Sequence, residues 1–71
     1  MKFVVMRSGT EPGEVAINAE LVTHVRSASG PFTDIYFRDH RVAVHGNFAD
    51  VVKRLEYAAA TGAQKPERPQ G

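Results

Sequence analysis

Polar and apolar residues alternate with a period of two through much of the chain up to His45, and with a helical period after it. Lys2 to Ser8 is a run of β-formers that ends in the Gly- and Pro-punctuated turn SGTEPGE. Glu14 to Asn18 (EVAIN) alternates, with Val15 and Ile17 on one side. Asn18 precedes AELV, where its side chain is placed to cap a single helical turn before the chain extends again. Leu21 to Ala28 reads as a third strand closed by SASGPF, and Thr33 to Arg38 and Arg41 to His45 as the fourth and fifth. Asp39-His40 separates the last two by the length of a tight hairpin. The favoured turns need positive φ, which Asp and His tolerate better than most residues.

After Gly46 the period changes. Asn47-Phe48-Ala49-Asp50 has the form of a helix start, with an Asn cap and an acidic group near the positive helix end. Phe48, Val51, Val52, Leu55, Ala58 and Ala59 then fall on one apolar stripe, with Asp50, Lys53, Arg54 and Glu56 on the wet side and Gly62 as the stop. Residues 1–62 are thus expected to form one β-rich domain, and Ala63 to Gly71 (AQKPERPQG) a disordered tail. The predicted fold class is α+β: five short, mostly antiparallel strands with one C-terminal amphipathic helix packed on the sheet. The sheet face that takes the helix is expected to carry Phe3, Val5, Val15, Ile17, Leu21, Val25, Ile35, Phe37, Val42 and Val44.

Length changes this picture in one respect. Seventy-one residues bury a single modest core, and small domains lean on a disulfide, a metal or a partner. With no cysteine there is neither a disulfide nor a thiolate metal site, which raises the expectation of a homodimer and fits a reducing cytoplasm. The net charge of +1 is far below that of a dedicated nonspecific nucleic-acid binder. No apolar run approaches the ~20 residues of a membrane span, and the N-terminal run stops at Arg7, too short for a signal-peptide core. The chain is read as soluble and cytoplasmic, with no membrane association.

Candidate chemistry concentrates in IYFRDHRVAVHGNF, residues 35–48. If Ile35, Phe37, Val42 and Val44 face the core, alternation sends Tyr36, Arg38, Arg41 and His45 outward, together with His24 and Arg26 from the preceding strand. Arginines around a tyrosine on an exposed sheet form a stacking-plus-cation surface of the kind that holds single-stranded nucleic acid. His24, His40 and His45 do not make a metal site, because His40 and His45 are about 15 Å apart along the strand and no acidic partner has ligand spacing. Ser27, Ser29, His24 and Asp34 lie in no nucleophile elbow, so no catalytic set and no cofactor are expected. The first strand, in contrast, is apolar on both faces. Val4 and Met6, opposite Phe3 and Val5, would share the second face with Val22, Ala43 and the ring of Tyr36. An apolar patch rimmed by arginine and histidine is the signature of a protein contact, here expected to be a second copy of the chain.

The run INAELVTHV…TDIYFRDHRVAVHGNFADVVKRL, after a short N-terminal strand, resembles the small FlbD/YlzI-type flagellar proteins over about residues 1–57. Ile17, Asn18, Glu20, Leu21 and Val22 match that family's first element, and Asp50, Val51 and Val52 its last. Ala19 stands where the family usually has proline, and Asp39-His40 where it has a Gly-containing hairpin. The strand-strand-helix ending is also similar to the close of LytTR-type DNA-binding domains. The first resemblance implies a non-enzymatic accessory protein and supplies no catalytic residues. The leading expectation is therefore a small protein-interaction module, with nucleic-acid binding through His24, Arg26, Tyr36, Arg38, Arg41 and His45 as the alternative.

Overall fold

A computed structural model describes residues 2–61 of the chain; Gly62 and the expected tail from Ala63 to Gly71 lie outside them. Five strands and one helix follow in the predicted order: β1 (Phe3–Arg7), β2 (Glu14–Asn18), β3 (His24–Ser27), β4 (Phe32–Tyr36), β5 (Arg41–His45) and α1 (Phe48–Thr61). A 3₁₀ turn at Ala19–Leu21 is capped as expected, with Asn18 Oδ1 accepting from the Glu20 N–H at 3.0 Å. The predicted cap of α1 also forms: Asn47 Oδ1 accepts from the Asp50 N–H at 2.9 Å, and Asn47 Nδ2 donates to the Asp50 carboxylate at 3.1 Å. The class is α+β.

The strands make two antiparallel sheets rather than one, β1-β2 and β3-β4-β5. They meet at one point, where Ser8 bridges Val44 and the Gly9 N–H donates to the Ala43 carbonyl at 2.8 Å. A Cβ on Gly9 would lie 3.1 Å from the Ala43 carbonyl carbon and oxygen and 3.1 Å from the Phe32 ring, so the close approach needs a residue without one. Away from this seam α1 packs against β1, β3, β4 and the 3₁₀ turn. Gly46 makes the corner from β5 into the helix at a φ of 135°, a conformation that disfavours any L side chain.

The core consists of Val4, Met6, Ile17, Ile35, Val44, Val51, Leu55 and Ala58, with Val15, Ala19, Val22, Val25, Phe37 and Val42 partly buried against it. The helix stripe packs as predicted, except that Phe48 stays 45% exposed. Arg54, expected on the wet side, is half-buried and donates to the Val5 carbonyl at 2.7 Å.

The first strand overturns its predicted phase. Val4 is 0% and Met6 2% exposed, whereas Phe3 is 43% exposed. The register explains the inversion: Val4 pairs with Ile17 and Met6 with Val15, so Phe3 and Val5 share a face with Asn18 and Ala16. Shifting a strand by one residue flips every side chain, and β1 is apolar on both sides, so its own alternation cannot choose. The turn after it decides: Ser8 N–H donates to the Gly13 carbonyl at 3.0 Å, while Ser8 Oγ accepts from the Thr10 and Glu11 N–H groups. The expected interface patch of Val4, Met6, Val22, Tyr36 and Ala43 is therefore not a surface. Val4 and Met6 are core, Val22 packs against the core, and only Tyr36 and Ala43 lie on an outer face. Leu21, also expected inside, is 64% exposed, and Thr33, not expected to be core, is fully buried with its hydroxyl donating to the Gly46 carbonyl at 2.8 Å.

Leu55→Ala empties a core position and is expected to cost about 2–5 kcal/mol in urea unfolding, against almost nothing for Lys53→Ala. Met6→Glu places an unpaired charge in the same core, so its circular dichroism should show an unfolded chain. A folded Met6→Glu protein would contradict the observed phase of β1.

Candidate functional site

Two surfaces carry the residues of interest, and the register of the three-stranded sheet builds both. His24, Tyr36 and Arg41 form one cross-strand row on its outer face; Arg26, Asp34 and Ala43 form the next, and Phe32 pairs with His45 beyond it. Within the first row the His24 and Tyr36 rings stack at 4.4 Å with an 11° interplanar angle, and Arg41 Nη1 donates to the Tyr36 hydroxyl at 3.3 Å. That contact, with Asp34 nearby, raises the Arg41 pKa by favouring the charged guanidinium. Asp34 stands directly opposite Arg26 in the middle of the face.

The structure thus brings together His24, Arg26, Tyr36 and Arg41, puts His45 at the far end against Phe32, and removes Arg38. β4 stops at Tyr36, and the Phe37 N–H donates to the His40 carbonyl at 2.8 Å, which leaves Arg38-Asp39 at the turn tip instead of the expected Asp39-His40. No non-glycine residue among those described has positive φ, so the primed turns that the two-residue spacing suggested are not used. His40 lies flat on Phe37 at 4.7 Å and donates to the Asp39 carboxylate at 2.7 Å, holding that carboxyl below its ordinary pKa.

Alternation places Ser27 on the opposite face from His24 and Asp34, so these three of the residues weighed for catalysis do not converge. Among the described residues no three His, Asp or Glu side chains are grouped to hold a metal ion.

The second surface was not legible as a site in the sequence. A shallow groove of about 230 Å³ runs between β3 and α1, with Val22, Val25, Val52, Leu55 and Ala59 in its lining and Glu56 at one side. β3 pairs only with β4 among the described residues, so its other edge borders this groove. The Ala28 N–H donates to the Phe32 carbonyl at 3.2 Å, which fixes the hydrogen-bonding phase: Arg26 exchanges bonds with Asp34, and the backbone groups of Val25 and Ser27 point away from β4. The period-two pattern that hid Val25 in the core was the available signal. Its backbone direction depends on the register, which one strand does not reveal. No helix among the described residues is long and apolar enough to cross a membrane.

No protein-family model matches this chain, and comparisons with curated proteins and with solved structures give no match.

Tyr36→Ala removes both the stacked histidine contact and the Arg41 acceptor and is expected to lower stability by about 1 kcal/mol. Arg38→Ala, at the turn tip, should stay within about 0.5 kcal/mol of the parent. Urea midpoints compared at constant slope check both.

Proposed function

We propose that this chain is a small, non-enzymatic protein-interaction module that receives an extended segment of a partner protein along β3. The observation that carries the reading is the conjunction of an unpaired strand edge with an apolar groove: Val25 and Ser27 offer main-chain donors and acceptors, and the Val52–Leu55–Ala59 side of α1 lies beside them. Strand addition of this kind draws affinity from the main chain and specificity from pockets that take alternate side chains. The partner segment would alternate, its apolar side chains entering the groove and its polar ones lying over the outer face with Arg26. A chain without cysteine suits a reducing compartment, and we place the module in the cytoplasm.

A second reading takes single-stranded nucleic acid on the outer face, through Tyr36, Arg26 and Arg41. The exposed arginines and the ring favour it. His24 already covers one face of Tyr36, however, and Asp34 sits between the cations, so the platform offers little stacking surface.

Titrating the labelled protein with an acetylated pentapeptide of alternating valine and threonine tests the first reading by amide chemical shifts. The expected shifts centre on Val25, Ser27 and Val52, change little between low and high salt, and disappear in Val52→Glu. Shifts absent at millimolar peptide overturn it. Binding of oligothymidylate instead, with affinity falling steeply as salt rises, establishes the second reading.

A further inference from the structure

We infer that two copies of this chain pair edge to edge through β2, antiparallel about Ala16, so that the two-stranded sheets of the copies join into one four-stranded sheet. This seam is separate from the β3–α1 groove. Like β3, β2 pairs with one neighbour only among the described residues. Its phase is fixed at both ends: the Ala19 N–H donates to the Lys2 carbonyl at 2.8 Å and the Ser8 N–H to the Gly13 carbonyl at 3.0 Å. In an antiparallel ladder every second pair exchanges hydrogen bonds, so Val4 bonds Ile17 and Met6 bonds Val15. Glu14, Ala16 and Asn18 therefore direct their main-chain groups outward.

The strand reads EVAIN, and it is complementary to itself when reversed. With the two-fold axis at Ala16, Val15 meets Ile17 of the second copy on the inner face, Ala16 meets Ala16, and Glu14 meets Asn18 on the outer face. The hydrogen-bonded pairs of this register are centred on Ala16, with Glu14 facing the Asn18 N–H; the Asn18 carbonyl also caps the 3₁₀ turn that follows β2. No like charges come into opposition. The edge carries few of the usual guards: Glu14 at its start is its one charge, and no proline, lysine or bulge interrupts the strand. β3 lacks this property, because any antiparallel self-pairing centred on Val25 or Arg26 sets Arg26 against His24 or against itself. A closed two-fold dimer through β2 leaves β3 free for a partner.

One strand edge is a small interface, so a dimer of micromolar affinity or weaker is expected. Sedimentation equilibrium of the full chain should show 7.8 kDa at low concentration and approach twice that value near millimolar. Ala16 is exposed, so Ala16→Lys is expected to keep the circular dichroism of the parent and stay monomeric throughout, as should Ala16→Glu. Mixing the two variants in equal amounts should restore the dimer, since opposite charges then face each other across the axis. Ser27→Lys, on the β3 edge, should dimerise like the parent. A parent chain that stays monomeric near millimolar overturns the inference. So does an Ala16→Lys protein that dimerises normally, a mixture that stays monomeric, or loss of the dimer in Ser27→Lys.

Discussion

Everything else in this fold depends on one apolar stripe, Val51, Leu55 and Ala58, lying over two sheets at once. A two-stranded sheet is marginal in water, and three short strands gain stability only when one face is covered. Here the sheets touch at a single bridge between Ser8 and Val44, where Gly9 lets the backbones close. The gap beyond that point is filled by α1, which buries Val4, Met6 and Ile17 of one sheet with Ile35 and Val44 of the other in a single core. Two long cations hold the helix to the first strand from its polar side. Arg54 donates to the Val5 carbonyl at 2.7 Å, and Lys2 Nζ donates to the Ala59 carbonyl near the helix end at 2.7 Å. The first gives a strand carbonyl a charged donor; the second places a cation where the helix dipole favours one.

That arrangement shows which parts of the fold one sequence reveals. Elements whose pattern is one-sided were legible: the Asn47 cap, the stripe of α1, the alternation of Ile35 against Tyr36 and of Val44 against His45. β1 was not, because FVVMR is apolar on both sides and its phase is set by the partner's register. The same limit applies to the fourth strand. Thr33 looks like a strand-end polar residue, yet its hydroxyl reaches the Gly46 carbonyl and it is buried at the corner where β5 turns into the helix. Such a contact joins residues that are neighbours only after folding. The candidate site divides along the same line: the row of His24, Tyr36 and Arg41 follows from alternation, whereas Arg38 was misplaced because the turn is centred one residue earlier than Asp39-His40 suggested.

The two open edges differ in chemistry although they belong to strands of similar length. β2 offers small and uncharged side chains around Ala16, while β3 carries His24 and Arg26 and borders the helix groove. A fold that leaves a strand edge of each of its two sheets unguarded invites indiscriminate pairing, and charge on one of them restricts what it accepts. Arg26 and His24 disfavour a second β3 without hindering a segment of opposite or neutral character. Self-recognition at one edge and partner recognition at the other are thereby compatible in one small domain.

The density of ionisable groups around residues 35–48 has a physical origin that needs no reaction. Each of the three histidines stands directly across a strand pair from an aromatic ring: His24 from Tyr36, His45 from Phe32, and His40 from Phe37 at the hairpin end. The ring centroids lie 4.4–4.7 Å apart, the distance at which cross-strand aromatic pairs stabilise a sheet. Imidazole suits an exposed face in this role, since it offers a flat ring to its neighbour and polar nitrogens to solvent or to side chains such as Thr23 and Asp39. In a chain without tryptophan and with few aromatic residues, the histidines act as its additional rings. The three histidines are thus spread among three separate ring pairs instead of being gathered at one point of the sheet.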